Sequence, residues 1–327
     1  MIFGKNQNSE LRLDCVNKDW IVVSPGRGKR PEDFKKKKQN EANYNMPCPF
    51  CDYFYQEKFR DKNFAVVPNK FPAFLPTTKQ NSVKSEGNLF QKMPAEGLHE
   101  VVVFGDHSKQ LADFSTQEWA QLLEIYQERY LELSKESFIN YVSIFHNHGP
   151  MAGASLNHPH SQIVAIPFYD KNIETALLAG KEFFYEKSQC LFCSVNRAER
   201  SAKKRIVFEN SNFLAICPFA SKVNFEVVIT PKNHLPYFEK INQEEKNDLA
   251  QIFQIVLAKI DKGLNGPDYN FYLKTSPCDG KEYPFFHWHF SIMPRISVWA
   301  GFELGSGIEI ITMPPEKSAE YLKKVKI

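Results

Sequence analysis

One order of features occurs twice along this chain: Cys-x-x-Cys, apolar strand, turn histidine, amphipathic helix, strand, His-x-His. No other feature restricts the fold as much. The first copy runs through Cys48-Pro-Phe-Cys51, the strand Glu100–Phe104, His107, a helix over 116–134, a strand over 138–145 and His158-Pro159-His160. The second runs through Cys190-Leu-Phe-Cys193, Phe225–Ile229, His234, a helix opening at Asn242, the strand Tyr269–Lys274 and His287-Trp288-His289. Phe225-Glu226-Val-Val-Ile229 echoes His99-Glu100-Val-Val-Val103, and nearly the same interval separates each glutamate from its histidine doublet. A repeat on this scale means a duplicated structural unit. Ser115 with Glu118, and Asn242 with Glu245, read as capping boxes. Trp119, Leu122, Leu123, Tyr126, Tyr130 and Leu133 form one apolar stripe at helical spacing; Leu249, Ile252, Phe253, Val256 and Ile260 form the other. The pattern predicts an α+β protein in two halves, residues 1–168 and 169–327, each an antiparallel sheet with packed helices. A further helix over 169–187 leads into the second cysteine pair. A length of 327 residues suits two such units, and 28 Phe within a 43% hydrophobic composition can fill their cores.

Seven cysteines, an odd number, argue against a disulfide framework. Two Cys-x-x-Cys pairs point instead to metal. Structural Zn²⁺ takes four Cys or His ligands in a tetrahedron. The first half offers Cys48, Cys51, His107 and His158, and the second offers Cys190, Cys193, His234 and His287 in the same order. No apolar run reaches the ~18 residues of a spanning helix. The first ten residues lack the apolar stretch of a secretion signal. A net charge of +3 gives no reason to expect nucleic acid or a membrane as partner. A cytoplasmic protein is therefore expected.

The chemistry concentrates between Phe145 and Pro167. Alternation on a strand puts residues 158, 160 and 162 on one face, so two imidazoles and the carboxamide of Gln162 point the same way. Just upstream, Gly149-Pro-Met-Ala-Gly153-Ala-Ser155 is a small-residue loop whose backbone N–H groups can approach an anion. If a metal takes His158, the imidazole of His160 is free. Neutral imidazole is nucleophilic near pH 7. A phosphate loop beside a free histidine suggests attack on phosphorus.

The run Asn147…Gly149…Gly153-Ala-Ser155…His158-Pro-His160-Ser-Gln162 closely resembles the active-site segment of galactose-1-phosphate uridylyltransferases, a nucleotidyltransferase branch of the histidine-triad superfamily. The resemblance extends over nearly the whole chain, most specifically residues 97–167. It implies a tandem pair of histidine-triad-like halves. It also implies transfer of UMP between UDP-glucose and galactose 1-phosphate, through a covalent nucleotide on His160 and with ping-pong kinetics. The partners implied are thus a nucleoside diphosphate sugar and a sugar 1-phosphate. Gln162 would donate to a phosphoryl oxygen. It stands where the superfamily's hydrolases carry a third histidine and cannot protonate a leaving group. A departing phosphate, with a second pKa of ~6, needs no proton.

The resemblance assigns further residues. Arg27 and Arg30, which alone read as a solvated basic turn, would meet the substrate phosphate across the interface of a homodimer. Asn69 and Phe71, otherwise a turn Asn beside a core Phe, would contact base and ribose, and Asn147, Gly153 and Ser155 would hold phosphate. Phe302 and Glu303 would help bind the hexose. The first four-ligand set matches family zinc ligands. The second is less uniform in the family, where some members hold iron; the Cys pair here favours zinc. Two departures bear on the sugar: Ser297 replaces a Lys four residues before Gly301, and Glu309 replaces a Gln six residues after Glu303. The Glu-Leu-Gly-x-Gly ending and the second Cys pair are also similar to ADP-glucose phosphorylases, so adenylyl transfer is the first alternative. A catalytically silent, zinc-stabilised nucleotide-binding module is the second. His289 has no Gln and no glycine loop beside it, and reads as lining the sugar site or as a packed histidine.

Overall fold

The computed structural model describes residues 9–25, 48–54, 56, 62–76, 84–86 and 89–327. Arg27 and Arg30 lie outside these residues. The chain opens with β1 (Glu10–Leu13) and β2 (Trp20–Val23), followed by the single turn α1 (Cys51–Phe54), β3 (Phe64–Pro68) and a small hairpin, β4 (Lys84–Glu86) with β5 (Phe90–Lys92). Then come β6 (Leu98–Phe104), α2 (Thr116–Leu133), β7 (Tyr141–His148) and β8 (His160–Ile166). Two helices, α3 (Lys171–Lys187) and α4 (Leu191–Ala202), lead to β9 (Ile206–Glu209), β10 (Phe213–Ile216) and β11 (Val227–Pro231). The chain closes with α5 (Gln243–Leu264), β12 (Tyr269–Lys274), β13 (His289–Pro294), α6 (Gly301–Ser306), β14 (Ile310–Ile311) and α7 (Pro315–Lys324).

Nine strands form one antiparallel sheet in the order β3-β6-β8-β7-β12-β13-β11-β10-β9. Outward from the β7–β12 seam, the order β7, β8, β6, β3 on one side is matched by β12, β13, β11, β10 on the other. The duplication seen in the sequence is thus a pseudo-two-fold across a continuous sheet, and the α+β class holds. β1, β2 and β14 make a separate three-stranded sheet.

Both long helices start as their capping boxes require. Ser115 N–H donates to Glu118 Oε2 at 2.8 Å and Glu118 N–H to Ser115 Oγ at 3.3 Å; Asn242 and Glu245 exchange equivalent bonds at 2.9 Å. The two apolar stripes meet in one core, where Trp119 stacks on Phe253 with centroids 4.5 Å apart. Burying such a ring contributes about 1.5–3 kcal/mol. On β8, Ile163 and Ala165 join this core while Ser161 accepts from Tyr126 Oη of α2 at 2.5 Å. The opposite face of β8 therefore presents His160 and Gln162.

Three differences from the expected element boundaries bear on the site. The strand expected over 138–145 is Tyr141–His148, because Ile139 N–H still donates to Glu136 O in the turn after α2, while β12 pairs as far as His148. Asn147 is consequently a strand residue. His158 precedes β8 rather than sharing it. The strand expected at Phe225 begins at Val227, since Phe225 has φ of +62°, outside the β region.

Candidate active site and metal centres

The four ligand atoms of each Cys/His set lie within 4.8 Å of one another. In the first set His107 Nδ1 is 3.1 Å from His158 Nδ1 and 3.3 Å from Cys51 Sγ, and His158 Nδ1 is 3.5 Å from both sulfurs. In the second set Cys193 Sγ is 3.5 Å from Nδ1 of both His234 and His287. A tetrahedron with bonds of about 2.3 Å to sulfur and about 2.0–2.1 Å to nitrogen has edges of roughly 3.3–3.8 Å, so the donor sets fit zinc. The outer nitrogens are engaged as metal-binding histidines require: Nε2–H of His158 donates to Phe104 O at 2.6 Å, and that of His287 to Pro231 O at 2.9 Å. Each bond fixes the proton on Nε2 and leaves Nδ1 to bind the ion. A bound ion would tie the Cys loop and the turn histidine to the start of the adjacent strand.

His160 sits two residues beyond His158, yet its Nδ1 is engaged with backbone and not with the Cys/His set. Its Nδ1–H donates to the carbonyl of His158 at 2.8 Å. That bond places the proton on Nδ1 and the lone pair on Nε2. Phe50, between the two cysteines, packs its ring 5.0 Å from that of His160. The imidazole is only 7% exposed, and burial pushes its pKa below the ordinary histidine range, keeping it neutral and nucleophilic at pH 7.

Gln162 lies next on the same face. Its Oε1 is 2.9 Å from Nε2 of His99 on β6, whose Nδ1 accepts from Ala73 N–H at 3.4 Å. With Nδ1 accepting, Nε2–H donates to the glutamine oxygen, and the amide N–H groups of Gln162 stay available. Asn69 Nδ2 is 3.1 Å from the same imidazole nitrogen, while Asn69 Oδ1 accepts from Phe71 N–H at 2.8 Å and shapes the turn. Phe71 is 83% exposed, so it is a surface ring and not a core one. The sequence reading left His99 unassigned. Alternation with Val101 and Val103 on β6 is the signal that places it on this face.

The glycine loop is held from the other half of the sheet. Gly149 has φ of +81°, and a Cβ there would lie 2.3 Å from the Asp268 carboxyl carbon. Asp268 Oδ2 accepts from Met151 N–H at 2.6 Å; Asn270 Nδ2 donates to both Asn147 Oδ1 and Ala152 O at 2.8 Å. Gly153, with φ of +83°, ends the turn, and Gly153 and Ser155 are exposed. Gly149→Ala is expected to displace Met151 from Asp268 at a cost of about 1–3 kcal/mol of backbone strain and steric conflict. Thermal melting should then drop by a few degrees and turnover should drop with it. An alanine variant matching wild type in both would contradict this account of the loop.

Residues 3–169 match the family model of the galactose-1-phosphate uridyl transferase N-terminal domain, and residues 106–325 match a domain of unknown function, DUF4921. An ADP-glucose phosphorylase from Arabidopsis thaliana is 34% identical, over 99% of this chain and 95% of that protein. The chain belongs to the galactose-1-phosphate uridylyltransferase family. A galactose-1-phosphate uridylyltransferase from Thermotoga maritima is 30% identical over 97% of this chain and 99% of its own. The crystal structure of an ADP-glucose phosphorylase from Arabidopsis thaliana with bound ADP-glucose superimposes with a TM-score of 0.80 at 30% identity, covering 98% of this chain and 100% of that one.

Phe302 and Glu303 lie on α6, where Glu303 Oε2 accepts from Ala300 N–H at 3.1 Å and so caps its own helix. Phe302 is exposed. In the second half, His289 directs Nδ1 toward His287 O at 3.4 Å, as His160 does toward His158 O, and Phe192 packs 5.4 Å from it as Phe50 does from His160.

Proposed function

We propose that this protein is a hexose-1-phosphate nucleotidyltransferase that moves UMP from UDP-glucose to galactose 1-phosphate. The observation that carries the reading is the His160 ring: Nδ1 is committed to the His158 carbonyl, and Nε2 is left with a lone pair beside Gln162. Nε2 attacks the α-phosphorus, the bond to the sugar phosphate breaks, and sugar 1-phosphate leaves as a nucleotidyl–Nε2 bond forms. A phosphate oxygen of the second sugar then attacks phosphorus, the P–N bond breaks, and the imidazole is restored. Gln162, turned by His99, donates to a non-bridging oxygen, with Asn147 and the loop Gly153–Ser155 adding donors. Asn69 and Phe71 hold the nucleotide, and Phe302 and Glu303 hold the hexose. Gln162→Leu is expected to lower kcat by about 10²–10³-fold, the usual loss for one such donor; steady-state exchange kinetics check it.

Residues 1–168 serve as the catalytic half and 169–327 as the half that keeps structure. Both Cys/His sets hold zinc in this reading, the thiolates favouring it over iron in the second. No helix among the described residues is long and apolar enough to cross a membrane. We take the chain as a cytoplasmic homodimer in which Arg27 and Arg30 reach the neighbouring site.

Two observations favour a second reading, an ADP-glucose phosphorylase. One is the 34% identity to such an enzyme; the other is the Glu-Leu-Gly-x-Gly ending together with the Cys190–Cys193 pair. Incubation with UDP-glucose or ADP-glucose labelled at the α-phosphate decides between them. Label retained on the protein from UDP-glucose supports the first, and label from ADP-glucose alone supports the second. Label from neither removes both and leaves a silent nucleotide-binding module.

A further inference from the structure

The pseudo-two-fold brings a second set of side chains into the arrangement found around His160. On β13, His289 pairs with Lys274 of β12, and Ser291 pairs with Tyr272 of β12 and Val228 of β11. On β8, Gln162 pairs with Phe145 of β7 and Val101 of β6. With His289 laid on His160, Ser291 takes the place of Gln162 and Lys274 that of Asn147. Glu226, one residue before the Val227–Ile292 pair, takes the place of His99, whose partner is Val164. The sequence echo, which set Glu226 against Glu100, is therefore one residue out of register with the sheet.

These counterparts line a cavity of about 310 Å³, which Phe192, Lys274, His289, Ser291 and Glu226 share with the first residues of the chain around Asn17. We propose that this cavity is a second ligand site, and that it takes a nucleoside monophosphate.

The lining polar groups are built in and not incidental. Glu226, Thr230, His289 and Ser291 are all at least nine-tenths buried. Buried polar groups facing an apolar void would cost free energy without partners. Most charges here already have partners. Lys222 donates to Asp19 at 2.6 Å, Glu226 accepts from Lys222 N–H at 2.6 Å, and Arg205 donates to Glu199 at 2.9 Å. Lys274 is held more loosely: its ammonium donates to Asn17 Oδ1 at 3.3 Å and lies 5.9 Å from the centre of the Tyr272 ring. Burial, the largest influence on it, pushes its pKa below the ordinary lysine range. Asp14, Asp170 and Glu226 act on the ammonium without a direct ion pair, and an anion in the cavity would give it one. Val16, Phe192, Val195 and Phe219 give the wall an apolar stretch beside its polar groups, which suits a planar base better than a sugar bearing hydroxyls. The volume stands at the small end of ligand pockets, about 300–1,000 Å³, and so suits one nucleotide and not a nucleotide sugar. The proposal does not depend on which base or hexose the site at His160 uses.

Calorimetric titration of the full chain with UMP, and separately with AMP, tests it. Two sites per chain are expected for at least one of the two, one at His160 and one at the cavity. Lys274→Met should weaken one of them by about tenfold or more, the usual worth of a charged hydrogen bond. Val195→Trp, which fills the cavity, should remove the same site. Neither change should alter the rate of nucleotidyl exchange. A stoichiometry of one for both nucleotides overturns the proposal, as does a second site that either well-folded variant leaves intact.

Discussion

Replacing His160 by asparagine should lower nucleotidyl exchange by about four to six orders of magnitude, the scale on which enzymes lose turnover when a covalent nucleophile is removed. Asparagine is the appropriate substitute. Its amide N–H can still donate to the His158 carbonyl, the bond that His160 Nδ1–H makes at 2.8 Å. Its carboxamide presents no nucleophile to phosphorus. The metal set is untouched, because His158 supplies the nearby ligand and its Nε2 remains bonded to Phe104 O. The variant should therefore keep wild-type metal content and nearly its melting temperature while forming no labelled intermediate from the α-phosphate. This combination separates a chemical role from a structural one. A His160→Asn enzyme that still exchanged at more than about one-hundredth of the wild-type rate would exclude His160 as the covalent carrier.

Much of the site was readable from the sequence because its chemistry restricts residue types. Thiolate and imidazole ligands cannot be replaced by other side chains, so two Cys-x-x-Cys pairs and two His-x-His doublets stand out, and the structure draws each set of four together. Capping boxes and helical stripes are local, and they gave α2 nearly to the residue and the start of α5. Long-range pairing was not readable. Nothing near Tyr269 says that β12 joins β7, and that seam is why Asn147 lies on a strand and why Asp268 and Asn270, some 120 residues downstream, hold the glycine loop. Register was the other blind spot. A one-residue slip exchanges the faces of a strand, and matching Glu226 to Glu100 by sequence concealed that Glu226 stands where His99 stands.

Removing one thiolate from each metal set should produce two different failures. Elemental analysis is expected to show two zinc ions per wild-type chain and one in either Cys51→Ser or Cys193→Ser. The first set sits on a loop that is only half-buried: α1 is a single turn with no fully buried residue, and Phe50, Tyr53 and Phe54 pack on Val67, Val101 and Val103 from outside. Without its ion, the Cys48–Cys51 loop would leave the sheet locally and carry Phe50 away from His160. Activity should then fall by about a hundredfold, while the global melting temperature moves by only a few degrees. The second set is rooted in the core. Cys190 is buried at the start of the twelve-residue α4, whose Leu191, Phe192, Asn196 and Glu199 are also buried. Its loss leaves an uncompensated partner in the interior, about 3–5 kcal/mol by analogy with broken buried pairs. At about 2–4 °C per kcal/mol for a chain of this class, melting should fall by about 10 °C, and activity below that temperature should be largely retained. Equal losses of stability and of activity in the two variants would contradict this division of labour, and unchanged metal content in both would show that these cysteines bind no ion.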